Sequence, residues 1–188
     1  MPRAGLSPDA VARAAARVAD AHGLDHVRPS TVAEEAGVRT PSLYAHVDGA
    51  DDLRRRLTLL ARSEQAGAGE AAVEGRSGAD ALRAHAEALR AYAIAHPGRY
   101  AAARRAVDPD TAAGSAGPRV AATLLSVVDD YGLPADERVH AVRVVSGAVH
   151  GFVQLQQSGA FDHSDPPPDA SWDRLLDGLD ALLTHWPR

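Results

Sequence analysis

Apolar residues along this chain recur at three- and four-residue spacing almost throughout, and no stretch alternates in the two-residue rhythm of a strand. The pattern predicts an all-α protein. Val11, Ala14, Ala15, Val18 and Ala19 share one face of a helix expected over 8–21. Ser7 is placed to cap it, Pro8 fits its first turn, and Gly23 ends it. Leu24 and Val27 follow as apolar staples. Val32, Ala33 and Ala36 predict a short helix from Pro29, and Gly37 supplies the positive φ that reverses the chain. A second short helix is expected from a Thr40 cap, with Pro41 at its first position, to Val47, with Leu43 and Val47 pointing inward. Asp48-Gly49 breaks the chain before a longer helix that carries Leu53, Leu57 and Leu60.

Residues 66–78, rich in Ala, Gly and Glu, read as a linker or frayed helix end that marks a change of domain. Helices are expected over 79–95, 97–106, 116–131, 135–157 and 170–186, with loops at 107–115 and 159–169. Functionally the chain divides into a head, 1–53, and a body, 54–188, with the helix from Ala50 belonging to both.

Composition narrows the chemistry. Hydrophobic residues make up 45% but aromatics only 4%, so the core must be built from Ala, Leu and Val. The absence of Cys excludes disulfides, thiolate metal sites and cysteine nucleophiles. Met1 to Ser7 has no signal-like apolar run, and no stretch of about 18 apolar residues could span a bilayer. A cytoplasmic protein with no membrane partner is expected. The net charge of −5 is unevenly spread. Residues 1–62 hold nine Arg against eight carboxylates, and residues 63–188 hold eleven against seventeen. A near-neutral head on an acidic body suits a nucleic-acid-binding head.

Two short helices joined by a Gly-bearing turn form a helix-turn-helix, and the second such helix enters the major groove of DNA. Arg39 can bond guanine bidentately, and Thr40 and Ser42 can meet thymine methyl groups or phosphates. Pro41 and His46 lie on the same segment, Ser30 faces the same groove, and the Tyr44 hydroxyl can donate to phosphate.

The pattern Val-Ala-x-x-Ala-Gly-Val-x-x-x-x-Leu-Tyr-x-His-Val over 32–47, followed by a helix near Asp51 and Leu53, resembles the TetR family of repressors. Ala148-Val149-His150-Gly151-Phe152, Gly159-Ala160-Phe161 and Trp172 with Leu175, Leu176 and Leu179 resemble the family's C-terminal class with a His-Gly signature. The resemblance implies a double-stranded DNA operator, a small-molecule effector, a ligand-released repressor, and a backbone contact from Tyr44. Three departures weaken the expected contact with DNA. Ala50 stands where the family carries a phosphate-binding Lys, Asp48, Asp51 and Asp52 crowd the same end, and Arg28 replaces a Thr cap. Arg28 is expected to compensate by pairing with phosphate. A dimeric small-molecule sensor with weak or lost DNA binding stays open as a second reading.

The body offers a ligand site. Leu82, His85, Leu89 and Tyr92 form one stripe, and Leu124, Val127, Val128 and Tyr131 another. A cavity between such helices is the usual binding site of a bundle. Its expected lining is His85, Leu89, Tyr92, Tyr100, Leu124, Val128 and His150, although His150 also suits the core or an interface. The last two long helices are apolar on more than one face, through Val142, Val145, Val149, Phe152 and Val153, then Leu175, Leu179, Leu182, Leu183 and Trp186. So wide a stripe needs a second partner, taken to be the same helices of another copy in a two-fold homodimer.

No enzyme is expected, because no Ser-His-Asp grouping is apparent. No metal or cofactor is expected either. Gly23 breaks the helix that would align His22 with His26, and Glu137-x-x-His140 lacks the second copy a di-metal site needs.

Overall fold

The computed structural model describes residues 6–163 and 165–187. Among them are ten α-helices, one 3₁₀ turn and no strand. The helices are α1 (Pro8–His22), α2 (Pro29–Glu35), α3 (Thr40–Leu43), α4 (Gly49–Val73), α5 (Gly78–Ala95), α6 (Pro97–Ala103), α7 (Pro109–Ala113), α8 (Gly117–Asp129), α9 (Arg138–Gln157) and α10 (Pro168–Thr184). No helix among the described residues is long and apolar enough to cross a membrane.

The chain forms two compact units. The first holds residues up to Glu64 together with Ala95–Ala116, and the second holds Gln65–Ile94 and the chain from Gly117 on. A single cut does not separate them: the chain leaves the first unit, returns to it through α6 and α7, and leaves again.

Three expectations are corrected. The helix from Gly49 does not fray at residue 66 but continues to Val73. Alanine is the strongest helix former, and burial of Ala66 holds this stretch against a partner despite two glycines. The loop expected at 107–115 contains α7, whose Asp108 accepts a hydrogen bond from the Thr111 amide at 2.8 Å, with Pro109 in the first turn. The helix expected to reach Val47 ends at Leu43, and its cap position is Arg39 with Thr40 already helical.

The first unit has one apolar cluster. Val11, Ala14, Ala15 and Val18 of α1 meet Val32 and Ala33 of α2, Leu43 of α3, and Leu53, Leu57 and Ala61 of α4, all essentially buried. Small side chains bring these helices close together. The tightest approach is at Gly98 of α6, where an added Cβ would overlap the backbone carbonyl of Ala19. Arg62 ties α4 to the end of α6 by donating to the carbonyls of Ala103 and Arg105 at 2.9 and 2.8 Å.

In the second unit, α10 contributes buried Trp172, Leu176, Leu179 and Leu183. Trp172 is fixed from both sides. Its indole N–H donates to Glu87 at 2.7 Å, and the buried Arg90 guanidinium lies 4.9 Å from its ring centre. Arg90 in turn donates to Gln156 at 3.0 Å and to Asp169. A buried arginine is tolerable here because its Nε and Nη2 both find acceptors.

A helix-turn-helix and an apolar cavity

The helix-turn-helix is assembled by local rules. Ser7 accepts from the Ala10 amide at 3.1 Å and starts α1, and Gly23 at φ 86° ends it. Gly37 at φ 68° turns the chain between α2 and α3, a conformation that an L side chain rarely adopts. The Val38 amide closes that turn on the Ala33 carbonyl at 2.9 Å. Leu43 and Val47 are buried beneath it. Their burial turns the polar residues of the segment outward. Arg39, Pro41, Ser42 and Ser30 are exposed, and Thr40 and His46 are half-buried. Tyr44, a large apolar ring, is 56% exposed with no core to explain it. Arg28 is exposed, and its Nε donates to the Asp25 carbonyl at 3.1 Å.

The acidic stretch after α3 is better compensated than its sequence suggests. Asp52 accepts from Arg55 at 2.5 Å, from Arg56 at 2.8 Å and from the Asp48 amide at 3.1 Å. Burial pushes its carboxyl pKa up, but these three donors outweigh it and hold the group below its ordinary value. Asp51 pairs with Arg54 at 3.3 Å. Two of the three acids are thus neutralised by arginines of their own helix.

The second unit contains a cavity of about 40 Å³, walled by α4, α5, α8 and α9. Of the expected lining, His85, Leu89, Tyr92, Leu124 and His150 meet there. Two expectations are corrected. Tyr100 belongs to the first unit, where its ring is buried and its hydroxyl accepts from Arg104 at 3.4 Å. Val128 is fully buried in the core but does not reach the cavity. The α4 wall also includes Ala66, Ala68 and Gly69, which fall in the stretch whose glycines predict a linker, and Gln65 just before it. His85 packs onto α4 at Gly69, where an added Cβ would lie 3.0 Å from the imidazole ring. Burial lowers the pKa of His85 below the ordinary imidazole value.

The expected dimer residues divide. Val145 and Val149 line the cavity, and Val153, Leu179 and Leu183 are buried in the subunit's own core. Phe152 packs on Phe161 and Trp172, with ring centres 5.0 and 5.2 Å away. The Trp186 indole donates to Glu137 at 3.0 Å. The seam assignment of Val145, Val149, Val153, Leu179 and Leu183 is therefore corrected, because the subunit's own packing covers them, while Phe152 and Trp186 are half-buried. Val142, Leu175 and Leu182 stay half-buried. The side chains turned outward are instead Val139, Val144 and Leu155, between 42% and 49% exposed.

A helix-turn-helix joined to an all-helical unit with an internal cavity defines a one-component transcriptional regulator. The family profile described as the tetracyclin repressor-like C-terminal domain matches residues 82–179. The chain is 33% identical over 190 residues to the HTH-type transcriptional regulator Rv0681 of Mycobacterium tuberculosis, covering 97% of this chain and 85% of that one. It is 28% identical to the regulator YobS of Bacillus subtilis, covering 87% and 86%. The fold matches that of ActR, a TetR family protein of Streptomyces coelicolor solved with (S)-DNPA, at a TM-score of 0.68 and 19% identity, covering 98% and 100%. The chain belongs to the tetracycline-repressor-like (TetR) family of DNA-binding transcriptional regulators.

Proposed function

We propose that this regulator is a homodimeric repressor that a small effector releases from its operator. The observation that carries the reading is the composition of the cavity wall. Gln65, Ala66, Ala68 and Gly69 belong to α4, the helix whose first turns follow the helix-turn-helix. An effector in this cavity therefore touches the helix that runs on from the helix-turn-helix. A ligand that favours a conformation of α4 with mis-spaced heads lowers operator affinity by its differential affinity for the two states.

DNA reading is assigned to the exposed Ser30, Arg39, Pro41, Ser42 and Tyr44 and the half-buried Thr40 and His46, with Arg28 at the edge. Arg39 is the candidate base reader and Tyr44 the candidate phosphate contact. In a two-fold dimer the two α3 helices must reach about 34–36 Å spacing to enter successive major grooves.

The dimer seam fits the outward face of α9, at Val144, Gly147, Ala148, Gly151 and Leu155, with Leu175, Gly178 and Leu182 of α10. Both sets follow three- and four-residue spacing, and Gly147, Gly151 and Gly178 border open space where another backbone can approach. The lost-DNA-binding reading rested on Ala50 and the neighbouring acids. Pairing of Asp51 and Asp52 removes much of its basis.

A gel-shift series on DNA flanking the protein's own gene tests the assignment. Arg39→Ala should relax preference at one base position by about 1–3 kcal/mol. Tyr44→Phe should weaken all sequences alike, because a phosphate contact carries no base information. Unchanged binding by both variants removes α3 from the DNA interface.

A further inference from the structure

Two residues of the cavity wall carry buried polar atoms that bear on the chemistry it selects. Gln65 Nε2 and His85 Nδ1 are buried, and neither has a hydrogen-bond partner within the protein. Buried side-chain donors and acceptors are nearly always paired, so two orphans on residues of one cavity wall are unusual. Both residues belong to its wall, Gln65 from α4 and His85 from α5.

The rest of the lining is as telling. It contains no Asp, Glu, Lys or Arg. Its remaining polar members are Tyr92, Thr123, Ser146 and His150, and the Thr123 hydroxyl is already donated to the Arg119 carbonyl at 3.0 Å. Burial lowers the pKa of His85 and so disfavours its charged form. A carboxylate or an ammonium group placed here would lose its water and gain no countercharge. The apolar side chains Leu82, Leu89, Leu124, Val145 and Val149 welcome a hydrocarbon body. The cavity volume of about 40 Å³ confines that body to a narrow one.

We infer that the effector is a small, uncharged, mainly apolar molecule bearing one carbonyl or hydroxyl oxygen, which accepts from Gln65 Nε2 and bonds to His85 Nδ1. The inference rests on the cavity being the effector site. It makes Gln65 a specificity residue and gives the ligand a direct hydrogen bond to α4. It also makes the empty site less stable than an apolar one, because the amide of Gln65 is desolvated without a partner until the ligand arrives.

The full-length protein can be tested with methyl propyl ketone, n-pentane and pentanoate, which share a chain and differ in acceptor and charge. The readouts are the His85 ring signals by NMR and the thermal midpoint. The ketone is expected to shift the His85 signals saturably and raise the midpoint. Pentane should bind about a hundredfold more weakly, the loss of two hydrogen bonds, and pentanoate more weakly still, because its charge is buried without a partner. Gln65→Met, close in shape but without the amide, should raise the midpoint of the ligand-free protein and weaken ketone binding about tenfold.

Pentanoate binding as tightly as the ketone, with shifts at the same residues, overturns the neutral-ligand inference but leaves the cavity as the effector site. No shift at His85 with any probe overturns the cavity reading and the inference together. A lowered midpoint in Gln65→Met shows that the amide is satisfied in the empty protein, by a buried water for instance, and removes the basis of the proposal. The probe series on the unaltered protein decides the matter even if the variant does not fold.

Discussion

The two units spend their apolar surface differently. In the first, one cluster of Ala, Val and Leu draws in α1, α2, α3, α4 and α6, and Tyr44 alone among its described large apolar side chains is exposed. In the second, apolar residues line a cavity on the inside, and Ile94, Val139, Val144 and Leu155 lie exposed on the outside. The glycines repeat the contrast. Gly98 is pressed against the Ala19 backbone, whereas Gly69 faces the movable ring of His85 beside empty space. A DNA-reading head must hold one shape, because base contacts depend on fixed geometry. A sensing body needs alternative packings close in free energy. Dense packing serves the first need and a partly filled interior the second.

The contrast is broken most forcefully on α9, where neighbouring valines face opposite ways. Val145→Arg buries an unpaired charge in the cavity wall and should destabilise the second unit by about 3–5 kcal/mol. Val144 is 42% exposed, so Val144→Arg should leave helicity and the urea midpoint of the subunit intact. It should nevertheless convert dimer to monomer by light scattering and abolish specific operator binding. A dimer that persists in Val144→Arg moves the seam to another face.

A smaller effect separates the two glycine contacts. Gly98→Ala sets a methyl against immovable backbone and should lose about 3 kcal/mol, the upper range for overpacking. Gly69→Ala displaces only the His85 ring and gains helix propensity of about 1 kcal/mol, so its net effect should lie within about 1 kcal/mol of zero. Urea denaturation of both variants measures the difference. Equal losses would erase the distinction between an unyielding first core and a yielding second one.

The smallest effect is a pH dependence. Burial lowers the folded-state pKa of His85, so as pH falls through about 6.5 the unfolded chain takes up a proton that the folded chain resists. Stability contributed by neutral His85 is therefore present above about pH 6.5 and lost on acidification. His150 is the other histidine of the cavity wall. His85→Gln should lose less stability than the unaltered protein between about pH 7.5 and about pH 5.5. Equal losses would mean that the ring titrates as though in water.

Much of the fold was legible because it is written in short-range chemistry. Ser7 with Pro8, Gly23, Gly37 and Pro41 each act within a turn of chain, through a cap, a fixed φ or a reversed one. These residues were enough to locate the helix-turn-helix and, by resemblance, the family. Asp108-Pro109 carries the same signal for α7, inside a stretch whose composition predicts a loop. The stretch 66–73 is illegible for the opposite reason: its glycines argue locally against a helix, and only packing overrides them. With that helix went Gln65, which nothing in the sequence distinguishes from a solvent-facing amide.

What the sequence by itself determined is most of the helices, most of their breaks and the place of the helix-turn-helix, because these depend on neighbours a few residues away. What only the tertiary structure decided is which side of an all-round apolar helix faces inward. On α9 the spacing of Val142, Val144, Val145, Val149, Phe152, Val153 and Leu155 allows several inward faces. Val145, Val149 and Val153 went inside because α5, α8 and α10 of the same chain supply the matching surface, which left Val144 and Leu155 outside. Tyr100 was decided in the same way. The rhythm of its helix sets which face is apolar, but the return of residues 95–116 to the first unit sets what that face meets. Hydrophobic burial is non-directional, so a sequence pattern can announce a buried face without naming its partner.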